Sequence, residues 1–402
     1  MNNFFAYSKT NSSKVVCFTA FLLFFSLNVF YRWENSYLTI LAYSYDFIFL
    51  FYFLNKKIVE DKNSVFFAIS FSLLFLWQQI TSNANITSII LNTLFPFLLF
   101  IPIKIRYKSL DFFITIIFPV LLTISYVSYI LWAFDIINLP SFAISSRGNK
   151  EYNFISHIFF IVPDIITELE RFHAFFDEPG VIGTLSAVIL FFYRDRLNKF
   201  AMISYSLSGM LSFSLFFYIM VVILLVSRFN KITDALVTII LFFLLGFLIY
   251  WLYDIDYLES RIFNRLLIEN GSLSGNNRNT IYFLNYFYNT FVYSQDILFG
   301  SSDAFTSSDK ASGNWSVQVF IYRYGALYVI YSIVLYSLYF WKYKTSCRNF
   351  FISILVWGLM TYQRPSFTDL FYFILFTTCF QSNYLKLHNN RGRCKVYPRG
   401  DN

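Results

Sequence analysis

Phe200-Ala-Met-Ile-Ser-Tyr-Ser-Leu-Ser-Gly-Met-Leu-Ser-Phe-Ser-Leu-Phe-Phe-Tyr-Ile-Met-Val-Val-Ile-Leu-Leu-Val226 is the stretch on which the architecture turns. It carries no charge, which suits an apolar medium. As one helix it would be about 40 Å long at 1.5 Å per residue, more than the roughly 30 Å hydrocarbon core of a bilayer. Its centre is polar, with Ser206, Ser208, Ser212 and Ser214 around Gly209. It therefore reads either as one over-long helix or as two short helices joined near the serines, and the choice decides on which side of a membrane everything before or after it lies.

The surrounding chain supports the membrane reading. Of 402 residues, 57% are hydrophobic and 13% charged, and the mean hydropathy is +0.54. A soluble domain carries about 25% charged residues, so an ordinary cytosolic enzyme is excluded. With 54 Phe and 31 Tyr, the chain is also too apolar for disorder. Apolar runs fall at about 15–31, 37–54, 64–80, 86–103, 112–137, 179–193, 200–226, 232–253, 324–341, 350–362 and 366–381. The expected fold is all-α: one polytopic membrane domain over 1–402 with 11 or 12 crossings. Two large loops, 138–178 and 254–323, separate the runs. Their apolar stretches Ile158–Val162 and Ile281–Phe291 read as short helices lying at the interface.

The charge pattern chooses between the counts. If 200–226 crosses twice, 21 of the 31 basic residues lie in short loops or tails on one side, including Lys104, Arg106, Lys108, Arg194, Arg196, Lys199, Arg228 and Lys231. That is the positive-inside pattern. Both termini are then cytoplasmic and both large loops face out. The net charge of +8 is scattered between apolar runs, so it speaks against a nucleic-acid patch. The first run follows Lys9 and Lys14 and lacks a small-residue cleavage site, so it reads as an anchor. Cys17, Cys347, Cys379 and Cys394 offer no CxxC and no pair suited to a periplasmic disulfide. No metal or cofactor is expected.

Ten basic residues remain outside, eight of them arginine. A planar, forked guanidinium suits diphosphate or carboxylate better than a lysine does. The strongest local signal is Arg171-Phe-His-Ala-Phe-Phe-Asp-Glu-Pro-Gly180, just before the run that starts at Val181. Pro179 suits the first position of a helix, whose free N–H groups favour an anion, with Arg171 and His173 nearby. The plainer reading has Asp177 and Glu178 capping that helix and one of them pairing with Arg171. In the second loop, Ser272-Leu-Ser-Gly-Asn-Asn-Arg-Asn-Thr280 opens a helix, and Arg278 stands where a cation opposes the helix dipole. Ile297-Leu-Phe-Gly300 follows, and Arg323 and Gly325 close the loop. Arg323 reads equally as an interfacial anchor. Gln363-Arg-Pro365 sets Arg364 between two short runs, facing a ligand or snorkelling from a turn. His157 reads as packing and His388 as inert. No Walker, GxSxG, HExxH or GxGxxG signature supports nucleotide, serine-hydrolase or zinc chemistry.

In this order the pieces resemble the O-antigen polymerases, polytopic glycosyltransferases that elongate surface polysaccharide. The resemblance covers about residues 140–381 and rests on Arg171 with Glu178-Pro179-Gly180 and Gly183, on Leu211-Ser-Phe-Ser214, on Gly275 to Arg278, on Leu298-Phe-Gly300, on Gly325 and on Gln363-Arg-Pro365. Gly180 stands where Asn is commoner. The resemblance implies transfer of a glycan from undecaprenyl diphosphate to a sugar hydroxyl of a second lipid-linked repeat, at the periplasmic face of a bacterial inner membrane. It implies that Arg171, Arg278, Arg323 and Arg364 hold the diphosphate and that Glu178, Asp177 or His173 takes the acceptor's proton. A chain-length regulator and a flippase are the implied partners, beside the lipid-linked oligosaccharides and the bilayer; no nucleic acid is implied. The related ligases use a histidine in the second outer loop, and none lies in 254–323. A flippase for lipid-linked sugars is the competing class. It would place charges inside the spans and repeat symmetry in the chain.

Overall fold

A computed structural model describes residues 9–27, 29–32, 37–38, 40, 62–82, 84, 86–100, 103–145, 153–164, 171–226, 268–269, 272–273, 280–301, 316–363 and 369–393. The runs 37–54 and 232–253 lie almost wholly outside these residues, as do Arg278, Arg364 and most of the second large loop. The described part is mostly helical. It comprises α1 (Lys9–Ser26), α2 (Lys62–Thr81), α3 (Ile86–Leu94), α4 (Ile103–Phe112), α5 (Phe118–Ala133), α6 (Pro179–Tyr193), α7 (Lys199–Leu211) and α8 (Leu215–Val226). After the second large loop's α9 (Ile281–Asn289) and α10 (Asp296–Phe299) come α11 (Val317–Tyr324), α12 (Ala326–Lys342), α13 (Cys347–Gln363) and α14 (Leu370–Arg393).

By length and hydropathy, two described helices can cross a membrane, Asn63–Thr81 and Arg106–Ala133. The pair Val317–Tyr324 and Ala326–Lys342, bent by 109°, makes a third if taken as one span. The run 86–103 is not a single helix. Pro96 lacks an N–H, and the chain tightens into a 3-10 stretch, Phe95–Phe100, which packs back on α2.

Arg106–Ala133 runs unbroken through a π-helical turn at Phe113–Ile117. Pro119 explains that turn. Without an N–H it cannot satisfy the carbonyl four residues back, and the π turn shifts the ladder so that the Phe118 N–H donates to the Phe113 carbonyl. The carbonyls left over are met from outside the helix. The Tyr205 hydroxyl donates to the Ile114 carbonyl at 2.7 Å, and Asn198 Nδ2 donates to the Thr115 carbonyl at 3.3 Å. The Ser204 hydroxyl donates to the Pro119 carbonyl at 2.9 Å. All three donors come from α7 or its cap, so a proline in one apolar helix seats another.

The stretch 200–226 is a helical hairpin. The break falls at Ser212-Phe-Ser214, with Phe213 at φ 46°. At one end of α6, Gly183 lies against Ser212 and Ser214. At its other end, Phe191 and Asp195 share a cavity wall with Leu224 of α8. The chain thus returns along α6 in α7 and runs back beside it in α8.

The two large loops depart from the all-α expectation. Phe142–Ser145, Asn153–Ser156 and Ile161–Pro163 form β1, β2 and β3 of an antiparallel sheet, Phe142 opposite Ser156 and Ile155 opposite Val162. Ile158–Val162 is therefore turn and strand. Five residues cannot pay back helix nucleation, whereas the β-branched Ile161 and Val162 suit a pleated, buried surface, and both are fully buried. Ile268–Glu269 and Ser272–Leu273 pair as β4 and β5. The helix expected at Ile281–Phe291 forms as Ile281–Asn289, its Thr280 side chain accepting from the Phe283 N–H.

Candidate functional site

The stretch Arg171–Gly180 is fastened at four points. The Phe172 N–H donates to the Leu211 carbonyl at 3.1 Å, the Ala174 carbonyl accepts from Ile161 of β3 at 3.1 Å, and the Phe175 carbonyl accepts from Phe30 at 2.9 Å. The fourth is the Arg171 guanidinium. Its Nε donates to the Ser212 carbonyl at 3.0 Å and one terminal nitrogen donates to the Phe213 carbonyl at 3.2 Å. These carbonyls lie at the C-terminal end of α7, which has no intrahelical donors for them and attracts a cation. Phe172, Phe175 and Phe176 are buried alongside.

Two separated pieces thereby converge: the continuous stretch from Arg171 through Glu178 into the start of α6 at Pro179 to Gly183, and the Ser212-Phe-Ser214 turn about 30 to 40 residues later. Gly183 has to be glycine here, because a Cβ would come within 2.3 Å of Ser214 Cβ. Asp177 and Glu178 are half-buried. Glu178 occupies the N-cap position of α6 in extended conformation, but its side chain makes no capping hydrogen bond. The capping role open in the sequence is not the one the carboxylate performs.

His173 is buried, and its Nδ1 has no hydrogen-bond partner among the described residues. Burial first, and the adjacent Arg171 cation second, push its pKa down to about 4. It is a neutral ring at physiological pH and a poorer base than its position in sequence suggested. His157, by contrast, stacks on Phe160 and lies against Trp132, as a packing residue.

The second cluster gathers around Arg323, in the last turn of α11. The Tyr324 hydroxyl lies within hydrogen-bonding reach of Gln78 and Arg323, with the Asp369 carboxylate nearby. Leu298-Phe-Gly300 packs directly on Arg323-Tyr-Gly325. Both glycines have φ +89°, and a Cβ on either would strike the other's backbone, at 2.4 Å from the Arg323 carbonyl oxygen or 2.2 Å from that of Leu298. The Ser301 N–H donates to the Tyr322 carbonyl at 2.7 Å. Trp77 stacks on the exposed Phe299. Gln78 and Asp369, which no sequence signal marked, belong to this cluster; only the fold brings them to Arg323.

Arg278 and Arg364 fall outside the described residues. Arg106, one of the cations assigned to topology, is in fact buried at 2% exposure, its guanidinium donating to Gln381 of α14 at 2.5 Å. Among the described residues, no group of three His, Cys, Asp or Glu side chains is placed to hold a metal. No family model, no curated protein and no solved structure matches the chain.

Proposed function

We propose that the protein is a polysaccharide polymerase of the O-antigen type, acting on undecaprenyl-diphosphate-linked glycans at the outer face of a bacterial inner membrane. The chain would cross about twelve times, with both termini cytoplasmic. The observation that carries this reading is the convergence of Arg171, Glu178-Pro179, Gly183 and Ser212-Phe-Ser214, separated in sequence, on one helix mouth. The pairing of Leu298-Phe-Gly300 with Gly325 adds to it. Both sets are the motifs on which the family resemblance rests.

In the proposed reaction, an acceptor sugar hydroxyl attacks the anomeric carbon of the donor glycan. The bond from that carbon to the lipid diphosphate breaks, the diphosphate leaves with the electron pair, and the hydroxyl proton passes to a carboxylate. Fixed cations suit such a leaving group because its charge grows in the transition state. Arg171 and Arg323, with Arg278 and Arg364, are the proposed cations, and Glu178 or Asp177 the proton acceptor. Arg171 has a second duty, since two of its donors already hold the α7–α8 turn.

The test is complementation of polymer length in a host lacking its own polymerase. Long ladders are expected from the wild type and unpolymerised repeats from the empty strain. Arg171→Ala and Arg278→Ala should each lower polymerisation by about 10²- to 10³-fold, as for a lost transition-state donor. Long ladders from both variants at normal protein level would rule out the diphosphate clamp. If the strain without the protein accumulated no outward-facing single repeats, a flippase would replace the polymerase.

A further inference from the structure

At the end of α6 remote from the Arg171 cluster, α6, α8, α13, α14 and the connection between α12 and α13 line an open cavity of about 260 Å³. Its polar wall is formed by Arg194, just past the end of α6, and by Lys344, Thr345 and Asn349 between α12 and α13. Three of these have fixed partners: Asn349 Nδ2 donates to the Thr345 hydroxyl at 2.7 Å, and the Lys344 ammonium lies over the Trp341 ring. Among the described residues neither Arg194 nor Lys344 is paired with a carboxylate, although Asp195 also reaches the lining. Phe191, Phe350 and Phe380 also line it.

We propose that this cavity binds the headgroup of an anionic glycerophospholipid, with the phosphate between Arg194 and Lys344 and the glycerol hydroxyls at Thr345 and Asn349. Two cations at one opening call for an anion. The volume is below that of a pocket for a drug-sized ligand, which fits a headgroup and not a whole lipid. The apolar part has a place to go: Trp341 and Leu338 on α12 and Phe351 and Leu355 on α13 are exposed beside the cavity, a surface for acyl chains and not for a free phosphate. Basic pockets between membrane helices on the cytoplasmic side take lipid headgroups in this way. The inference rests on the chain spanning a bilayer and not on glycan transfer, so either can fail without the other.

The experiment uses the full chain in detergent, titrated with phosphatidylglycerol, phosphatidylcholine or glycerol 3-phosphate, with bound lipid counted by native mass spectrometry. At about fivefold per cation near a headgroup, the wild type should favour phosphatidylglycerol over phosphatidylcholine about 30-fold. Arg194→Gln with Lys344→Gln should bring that ratio within about twofold of one, while Arg194→Lys should preserve most of it. Equal uptake of both lipids by the wild type overturns the proposal without recourse to a variant. So does an undiminished preference in the folded double variant, or displacement of phosphatidylglycerol by an equal concentration of glycerol 3-phosphate.

Discussion

His173 and Arg171 sit two residues apart, the first buried and the second half-buried. Desolvation and the Arg171 charge hold the imidazole near a pKa of about 4, against about 6.5 in an unfolded chain. Its contribution to stability is therefore complete above pH 6.5 and shrinks as the pH falls, vanishing once the folded form also takes the proton near 4. Thermal melting of the purified protein should drop between pH 7 and 4.5, and His173→Gln should flatten part of that slope; an unchanged slope would show that His173 is not the group responsible. Arg171 is held by geometry as well as charge. Lysine keeps the cation but lacks the fork that reaches two carbonyls, so Arg171→Lys should cost about 2 kcal/mol of stability and a large share of activity. Activity at the wild-type level would mean that only the charge matters. The sequence announced this cation and its neighbouring Glu-Pro, since an arginine in a loop without topological duty stands out. It could not announce Gln78, Asp369 or the buried Arg106, which look ordinary until remote segments pack around them.

At the scale of elements, small residues set how closely helices and turns approach. Gly183→Ala forces α6 away from the Ser212-Phe-Ser214 turn, and under the proposed function the resulting loss of polymer length should be partly recovered by adding Ser214→Gly, which removes the two Ser214 atoms in the way and leaves only the Ser212 hydroxyl oxygen, at 2.6 Å, to shift. No such rescue exists for Gly325→Ala. Its Cβ meets backbone, and φ +89° is strained for any side chain, so protein level and activity should both fall, by western blot and ladder assay. The helices themselves were legible because hydropathy runs and cap residues such as Thr280 are local. The sheet at 142–163 was not, because a strand is defined by a partner, and Ile161-Val-Pro163 has no periodicity of its own. The 3-10 turn after Leu94 followed from Pro96, a signal masked by the unbroken apolar run around it.

For the whole molecule, the hairpin of α7 and α8 makes a prediction about sides. If 200–226 crosses twice, an alkaline-phosphatase fusion after Asn230 should be inactive and fusions after residues 150 and 290 active. An active fusion after Asn230 would restore a single crossing. The charge distribution favours two crossings, whereas hydropathy alone does not choose, because 27 uncharged residues satisfy either count. The Arg171 contacts with Ser212 and Phe213 also impose an order on biogenesis. Those partners are synthesised about 40 residues later, and α7 and α8, at roughly 20 Å each, are short to be stable alone in a bilayer about 30 Å thick. If the hairpin is inserted in a membrane, the first large loop has to wait, closing on its anchor only when both halves of the hairpin are in place. A ribosome stalled before Leu215 should leave Arg171 open to protease, and one stalled well past Val226 should not, so the latch that shapes the site would also time its assembly.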